Sequence, residues 1–109
     1  MPVEQDVQWL QEWYAAQCNG EWEHTRGVTI ESLDNPGWLL TVDLVETPLA
    51  KAEMTPVRER GGDDDWLECD IVAGQFRAAG DPAKLMRLFG AFRKFVESQQ
   101  PTAEPVITP

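Results

Sequence analysis

Residues 66–96 read WLECDIVAGQFRAAGDPAKLMRLFGAFRKFV, and the spacing of their apolar residues changes once along this stretch. Up to residue 79 apolar and polar residues alternate, which predicts strands with one buried face. Ala73-Gly74 can close a tight hairpin between two such strands. The side chains expected to face inward are Leu67, Cys69, Ile71, Phe76 and Ala78.

After Gly80 the apolar spacing becomes that of a helix, with one residue every three or four positions. Asp81 suits the N-cap, and Pro82 suits the first helical position. The helix should end near Gln99. Its apolar stripe consists of Leu85, Leu88, Phe89, Phe92, Phe95 and Val96.

Two earlier stretches, residues 26–33 and 38–44, also alternate and predict a second hairpin. The segment DNPGW joins them: with Asn35 first, Pro36 fixes the second turn position and Gly37 takes the positive φ of the third, a type II turn. Val28 and Ile30 should share one face of the first strand. On the second strand one face holds Trp38, Leu40, Val42 and Leu44, and the other holds Leu39, Thr41 and Asp43.

The remaining segments complete the predicted fold. Residues 52–60 form a weaker strand, which Pro56 places at a sheet edge, and GGDDD (61–65) is expected to be a loop. Residues 4–17 predict a first helix, and Asn19-Gly20 supplies its stop.

The order helix, antiparallel sheet of about five strands, helix predicts an α+β fold with both helices on one sheet face. The opposite face would be open to solvent. We expect a single domain over residues 1–98 and a mobile tail over residues 99–109, which contains three prolines.

Charge and composition exclude several classes of protein. The 109 residues carry a net charge of -10, and residues 1–70 alone hold 16 acidic and 4 basic residues. A nucleic-acid binder needs a dominant basic footprint, so neither nucleic acid nor phosphate is the expected partner. The acidity either steers a basic protein partner towards the chain or simply keeps the chain soluble. No apolar run approaches the ~20 residues that cross a bilayer, and the acidic N-terminus does not resemble a signal peptide. We expect a soluble, cytoplasmic protein with two free cysteines, Cys18 and Cys69.

The segment CNGEWEH, residues 18–24, contains the only histidine and suggests chemistry. Zinc sites usually need three or four paired Cys or His ligands, which are missing here. A strand starting at Glu21 would also send Glu21 and Glu23 to one face and Trp22 and His24 to the other. Nucleophilic catalysis by Cys18 would need His24 beside it, oriented by a third group. The simpler interpretation is a helix end, with Trp22 in the core and Glu23 and His24 tying the helix end to the sheet by hydrogen bonds. We expect no metal, no cofactor and no catalytic residue.

The open sheet face is the more informative candidate site. A tryptophan there, surrounded by acids, would suit a basic protein partner, because it buries a large area while the acids steer the approach. The alternative is that Trp66 packs under the neighbouring loop. The candidate partner-binding residues are Glu31, Asp43, Asp63, Asp64, Asp65, Trp66, Glu68 and Asp70.

Residues 9–44 resemble immunity protein family fifty-three of bacterial polymorphic toxin systems. The family opens with a W-L-x-x-W-Y helix, followed by a C-[DN]-G-[DE]-W-E-H segment, an L-D-N-P-G-W turn and a strand ending in D-L. Asn19 stands where an aspartate is common. The matching residues here are Trp9, Leu10, Trp13, Tyr14, Cys18, Gly20, Trp22, Glu23, His24, Leu33, Asp34, Asn35, Pro36, Gly37, Trp38, Asp43 and Leu44.

The resemblance implies a small cytoplasmic antitoxin that binds and neutralises a cognate toxin domain, often a nuclease. It supplies no catalytic residues, so the motif positions are expected to determine the fold. The competing hypothesis is a small metal-binding or enzymatic protein that uses Cys18, Glu21, Glu23 and His24.

Overall fold

The fold is an antiparallel sheet framed by two long helices. The computed structural model describes residues 3–99, with side chains from Gln5 onward, so the predicted tail lies outside the described residues except for Gln99. The elements are α1 (Val3–Gln17), α2 (Trp22–Thr25), β1 (Val28–Leu33), β2 (Gly37–Asp43), β3 (Val57–Gly62), β4 (Asp65–Val72), β5 (Gln75–Gly80) and α3 (Leu85–Gln99).

The five strands form one sheet in the order β1-β2-β5-β4-β3, and every neighbouring pair is antiparallel. Strand β3 lies at an edge, as Pro56 predicts. The β4–β5 hairpin closes at Ala73-Gly74, where both residues have positive φ, 53° and 79°. The predicted α+β arrangement is therefore confirmed. Within the described residues no helix has the length and apolar character needed to cross a membrane.

The core lies between one face of the sheet and the two long helices. Leu40, Val42, Phe76 and Ala78 are fully buried on that face, because neighbouring strands place them in register, Leu40 beside Ala78 and Val42 beside Phe76. Leu67 and Cys69 continue the same face on β4. The predicted stripe of α3 covers this face, with Leu88, Phe89, Phe92, Phe95 and Val96 all buried.

Phe92 is the point at which both helices and the sheet meet. Its ring centroid lies 5.0 Å from that of Trp13, 5.7 Å from that of Trp9 and 5.0 Å from that of Phe76. The two tryptophans approach it edge to face, an arrangement favoured by the charge distribution of aromatic rings. One side chain of α3 therefore fixes α1 and the sheet relative to each other.

The link between β1 and β2 differs from the prediction. Asn35-Pro36 is a cis peptide bond, and Gly37 does not have positive φ, so the predicted type II turn is wrong. A Cβ at Gly37 would collide with the carbonyl oxygen of Gly80 and touch the Trp66 ring. Gly37 is thus needed for close approach of β2 to β5 and not for its backbone conformation.

Two boundaries differ from the prediction in addition to the start of β3, which lies at Val57 and not at residue 52. The glycines of GGDDD belong to β3, which continues to Gly62 with an irregularity after Arg60, and Asp65 begins β4, so only Asp63-Asp64 form the turn. At the other boundary α3 begins at Leu85, three residues after Pro82.

Asp81 explains the late start of α3. Its carboxylate accepts hydrogen bonds from the backbone N–H of Trp66 (2.9 Å), from the N–H of Ala83 (2.8 Å) and from Lys84 Nζ. The side chain therefore anchors a turn and the start of β4 and does not cap the first helical residues. Only 1 % of Asp81 is exposed. The hydrogen bond from Lys84, followed by those from the two backbone groups, lowers the pKa of the Asp81 carboxyl to about 2.

Replacing Phe92 by alanine should destabilise the whole chain by about 3–5 kcal/mol, the usual cost of removing a buried aromatic ring. Met86→Ala is the matched control, since Met86 lies on the same helix but is exposed. Chemical denaturation measures both. Equal losses for the two variants would contradict the role given to Phe92.

Asp81→Asn should remove a pH-dependent contribution to stability. The carboxyl pKa is about 2 in the folded chain and about 3.9 in an unfolded one. The ionised carboxylate therefore stabilises the fold fully above pH ~4, and this contribution is lost as the pH falls from ~4 towards ~2. Denaturation of both proteins at several pH values should give a difference that shrinks over this interval, whereas a constant difference would show that the charge of Asp81 is not involved.

Candidate functional site

The corner at residues 18–24 is built by two polar side chains that cap a short helix. The structure makes Trp22–Thr25 a helical turn, so the expected strand at Glu21 is wrong. Asn19 Oδ1 accepts hydrogen bonds from the N–H groups of Glu21 (2.9 Å) and Trp22 (3.0 Å). In return the Glu23 carboxylate accepts from the N–H groups of Asn19 (2.9 Å) and Gly20 (2.8 Å). This reciprocal capping explains the local fold.

The other residues of the corner do not assemble a reactive site. Trp22 is buried, and its indole N–H donates to the carbonyl of Val45 at 3.0 Å, which ties the corner to the chain after β2. Cys18 Sγ donates to the carbonyl of Tyr14. His24 is exposed and makes no side-chain hydrogen bond within the described residues, and the Glu23 carboxylate bonds to Asn19 and Gly20, so the expected tie of both side chains to the sheet is wrong.

The charge state of the corner agrees with a structural role. Hydrogen bonds from the backbone N–H groups of Glu23 itself, Asn19 and Gly20 lower the pKa of the Glu23 carboxyl. Over residues 3–99 no three His, Cys, Asp or Glu side chains converge as metal ligands. Cys18 and Cys69 are both free, as predicted, but only Cys69 is buried, whereas Cys18 was also expected to be. Burial raises the pKa of the Cys69 thiol to about 11, so that it is not a nucleophile at neutral pH.

The second candidate site is the sheet face that the helices leave uncovered. The strand register aligns Glu31, Leu39, Ala79, Glu68 and Arg58 in one row across all five strands. The next row places Thr29, Thr41, Arg77 and Asp70 side by side. Acids and bases therefore alternate on this face, which is less uniformly acidic than the sequence suggests.

A shallow depression of about 200 Å³ lies where these two rows meet. Its floor includes Leu39 and Ala79, and its charged rim is formed by Arg58, Glu68, Asp70 and Arg77. Each acid stands beside an arginine of the adjacent strand, in the register Arg58–Glu68 and Arg77–Asp70. The depression presents both charges to a partner around an apolar centre.

Trp66 lies at one end of this face and is half-buried. The edge of its ring lies over Gly37, and its backbone N–H and C=O both bond to Asp81. The ring therefore covers a glycine and remains partly accessible. It is held in place, which is the condition that a rigid aromatic anchor needs.

The structure separates the predicted acids into engaged and free groups. Asp43 accepts hydrogen bonds from the Gly27 N–H (2.8 Å) and from Gln75 Nε2 (2.8 Å), so its role is internal. Asp65 pairs with Lys84 at 2.7 Å, and Asp63 pairs with Arg60 at 3.2 Å. Within the described residues, no ion pair or side-chain hydrogen bond engages the remaining four, Glu31, Asp64, Glu68 and Asp70.

The basic residues after position 76 are largely used within the fold. Arg93 pairs with Asp6 of α1 (3.2 Å) and with Glu97 (3.1 Å), and Arg87 pairs with Glu59 of β3 (3.1 Å). Two of these contacts, with Asp6 and Glu59, join α3 to neighbouring elements.

A groove between α1 and β1 was missed by the sequence reasoning. It measures about 630 Å³, and its lining includes Val7 and Tyr14 of α1 and Ile30 of β1. Ile30 was expected on the inner face and does lie there, yet 46 % of it is exposed because no helix covers this edge. In the sequence, the signals for this groove were two apolar residues of α1 that lie two helical turns apart, Val7 and Tyr14, and the apolar Ile30 of β1. Only the structure shows that the space between the two elements stays open.

A comparison of the chain with known families shows which family it belongs to. Residues 7–97 match the family described as Immunity protein 53. The chain belongs to that family. No curated protein and no solved structure matches the chain.

The family match includes the motif residues identified in the sequence. The match begins in α1 and ends in α3, so it includes the corner, the whole sheet and both covering helices. Trp9, Trp13 and Trp22 lie in or against the core, while Asp34, Asn35 and Pro36 form the exposed β1–β2 turn. In this immunity protein the three tryptophans of α1 and the corner therefore contribute to the core.

Trp22→Ala should lower the free energy of unfolding by about 3 kcal/mol, because it leaves a cavity and an unsatisfied Val45 carbonyl. His24→Ala, two residues away and exposed, is the control and should change it little. Thermal or chemical denaturation measures both. A Trp22→Ala chain as stable as the parent would contradict the structural role of the corner.

Proposed function

We propose that this chain is the antitoxin of a bacterial polymorphic toxin system, which binds a cognate toxin domain and blocks it by non-covalent contact. The observation that carries the proposal is the family match over residues 7–97. The uncovered sheet face, with a fixed tryptophan and free carboxylates, supports it as a surface able to hold a protein.

The chemistry of that face favours a basic partner. Within the described residues no ion pair engages Glu31, Asp64, Glu68 or Asp70, and the chain carries a net charge of -10. Carboxylates steer a positively charged protein towards the face, and a half-buried tryptophan supplies contact area at its end. The nucleic-acid-binding surface of a nuclease is basic for the same electrostatic reason, so a nuclease is the toxin class that fits best.

The mode of action that we propose is occupancy. The carboxylates of Glu23, Asp43 and Asp81 all accept hydrogen bonds from groups within the chain, and the Cys69 thiol is buried. The groups that face outward are suited to binding. We further propose that the contact takes place in the cytoplasm, where an incoming toxin would meet its target.

A binding assay with the purified toxin domain encoded beside this chain's gene tests the proposal. Trp66→Ala should weaken the complex by about 2 kcal/mol or more, as loss of a central aromatic anchor does. Asp64→Lys and Glu68→Lys should weaken it through slower association, with an effect that declines at high salt. Isothermal titration calorimetry gives the affinity, and stopped-flow mixing gives the association rate.

Glu53→Lys is the matched control, because Glu53 is exposed in the segment between β2 and β3 and lies outside the open face. It makes the same charge change and should leave affinity nearly unaltered. No complex between the parent chain and the toxin at micromolar concentration would refute the proposed function. A complex that all three face variants form normally would assign binding to another surface.

A further inference from the structure

The two edges of the sheet differ in how well they are protected against another strand. Edge strand β3 is preceded by Pro56, carries the exposed charges Arg58, Glu59 and Arg60, and has an irregularity in its pairing with β4. Proline, charge and bulges are the devices by which proteins block edge-to-edge pairing. Glu59 is in addition tied to Arg87 of α3. The β3 edge is therefore closed to further strands.

Edge strand β1 has none of these devices except one charge, Glu31. Its residues pair with β2 in unbroken register from Val28–Val42 to Leu33–Gly37. It contains no proline, and four of its six residues are exposed. A regular exposed edge of this kind is a template for an added strand.

The free hydrogen-bonding groups of β1 can be assigned from its register. The N–H of Asp43 donates to the carbonyl of Gly27 at 3.0 Å, which makes these two residues a bonded pair. Since bonding alternates along an antiparallel strand, Thr29 and Glu31 also bond to β2. The backbone groups of Val28, Ile30 and Ser32 then point away from the sheet, so that an incoming strand would find three residues in the correct phase.

The side chains of Val28 and Ile30 border the groove between α1 and β1. The apolar lining of the groove consists of Val7, Leu10, Tyr14, Val28, Ile30 and Phe89. Three of them are large and exposed, Val7 and Tyr14 at 37 % and Ile30 at 46 %. A strand added to β1 would place alternate side chains over this groove.

Arg26 provides a second observation at the start of β1. It lines the same groove, and its Nε is buried without a hydrogen-bond acceptor in the described part of the chain. The nearest carboxylate oxygen of its ion-pair partner Glu46 is 3.9 Å away. A backbone carbonyl of an added strand is an acceptor of the kind that this buried donor lacks.

Charge identifies the occupant. The groove lining itself holds one charge of each sign, Arg26 and Asp43, but the surrounding stretch of residues 3–33 contains six acidic residues and one arginine. A second copy of this chain would bring two such acidic surfaces together, which electrostatic repulsion opposes. A cationic segment would be attracted instead.

We propose that the β1 edge and its groove bind an extended cationic segment of the toxin, which adds to the sheet as a sixth strand and places apolar side chains at alternate positions in the groove. The inference rests on the proposed antitoxin function and adds to it a mode of recognition. Main-chain hydrogen bonds to Val28, Ile30 and Ser32 hold the segment, while Val7, Tyr14 and Ile30 select its side chains.

Binding of the toxin domain to Ile30→Lys tests this proposal. Lysine at this exposed position repels a cationic segment and blocks the edge, so affinity should fall at least about tenfold. Met86→Lys is the matched control, because Met86 is an apolar residue of similar exposure, 43 %, that lies on α3, away from both the groove and the open sheet face. Its affinity should equal that of the parent chain.

Amide hydrogen exchange of the parent chain supplies a test that needs no variant. The amides of Val28, Ile30 and Ser32 should exchange rapidly in the chain alone and become protected when the toxin domain is added. Unchanged exchange of these amides in a complex that the parent chain does form, together with normal affinity of Ile30→Lys, would overturn the edge proposal and leave the antitoxin function standing.

Two further outcomes would also count against the proposal. No complex with the parent chain would overturn the antitoxin function and the edge proposal together. Protection of the same three amides in the chain alone, at concentrations where sedimentation shows a dimer, would assign the edge to a second copy and overturn the choice of occupant.

Discussion

The packing of Phe92 against Trp9, Trp13 and Phe76 is the contact on which the rest of the structure depends. It joins α1, α3 and the sheet in one cluster, so both helices must lie on the same sheet face. A sheet of five strands presents two faces and two edges. With both helices committed to one face, the other face and the β1 edge remain available.

The distribution of charge follows from the same constraint. Where α3 packs beside other elements, its charged side chains are paired with theirs. Arg87 bonds to a carboxylate of β3, and Arg93 bonds to a carboxylate of α1. Lys84 pairs with Asp65 and Asp81 at the end of the sheet. The bases are thus largely used to stabilise the fold, whereas several carboxylates of the open face have no partner within the described residues. Under the proposed function this division favours the approach of a basic partner, because free carboxylates act at a distance.

Much of the fold could be predicted because its signals are local. The alternation in β4 and β5 and the apolar stripe of α3 each reflect burial of one face, so Leu67, Phe76 and Phe92 were assigned correctly. The errors arose where distant residues decide the local conformation. Gly37 is glycine because Gly80 approaches it, and α3 starts late because the Asp81 carboxylate bonds to Trp66 and Lys84.

The candidate site was harder to predict than the fold for a related reason. A sequence does not distinguish a free carboxylate from one that accepts hydrogen bonds within the chain. Glu68 is free within the described residues, whereas Asp43 accepts hydrogen bonds from Gly27 and Gln75. The groove beside β1 is a space between two elements, so no single residue or motif of the sequence indicates it. The corner at residues 18–24 carried the strongest chemical signal, yet its polar groups are consumed by capping.

We propose that the protein acts by binding to a toxin domain and blocking it, and not by chemical modification of it. Titration of a fixed amount of active toxin domain with this chain tests it most directly, with residual toxin activity as the readout. Toxin activity should fall in proportion to the amount of chain added and should be abolished at about one equivalent, as tight one-to-one binding requires. Complete inactivation by a small fraction of an equivalent, which only turnover can produce, or full activity at a large excess, would contradict it.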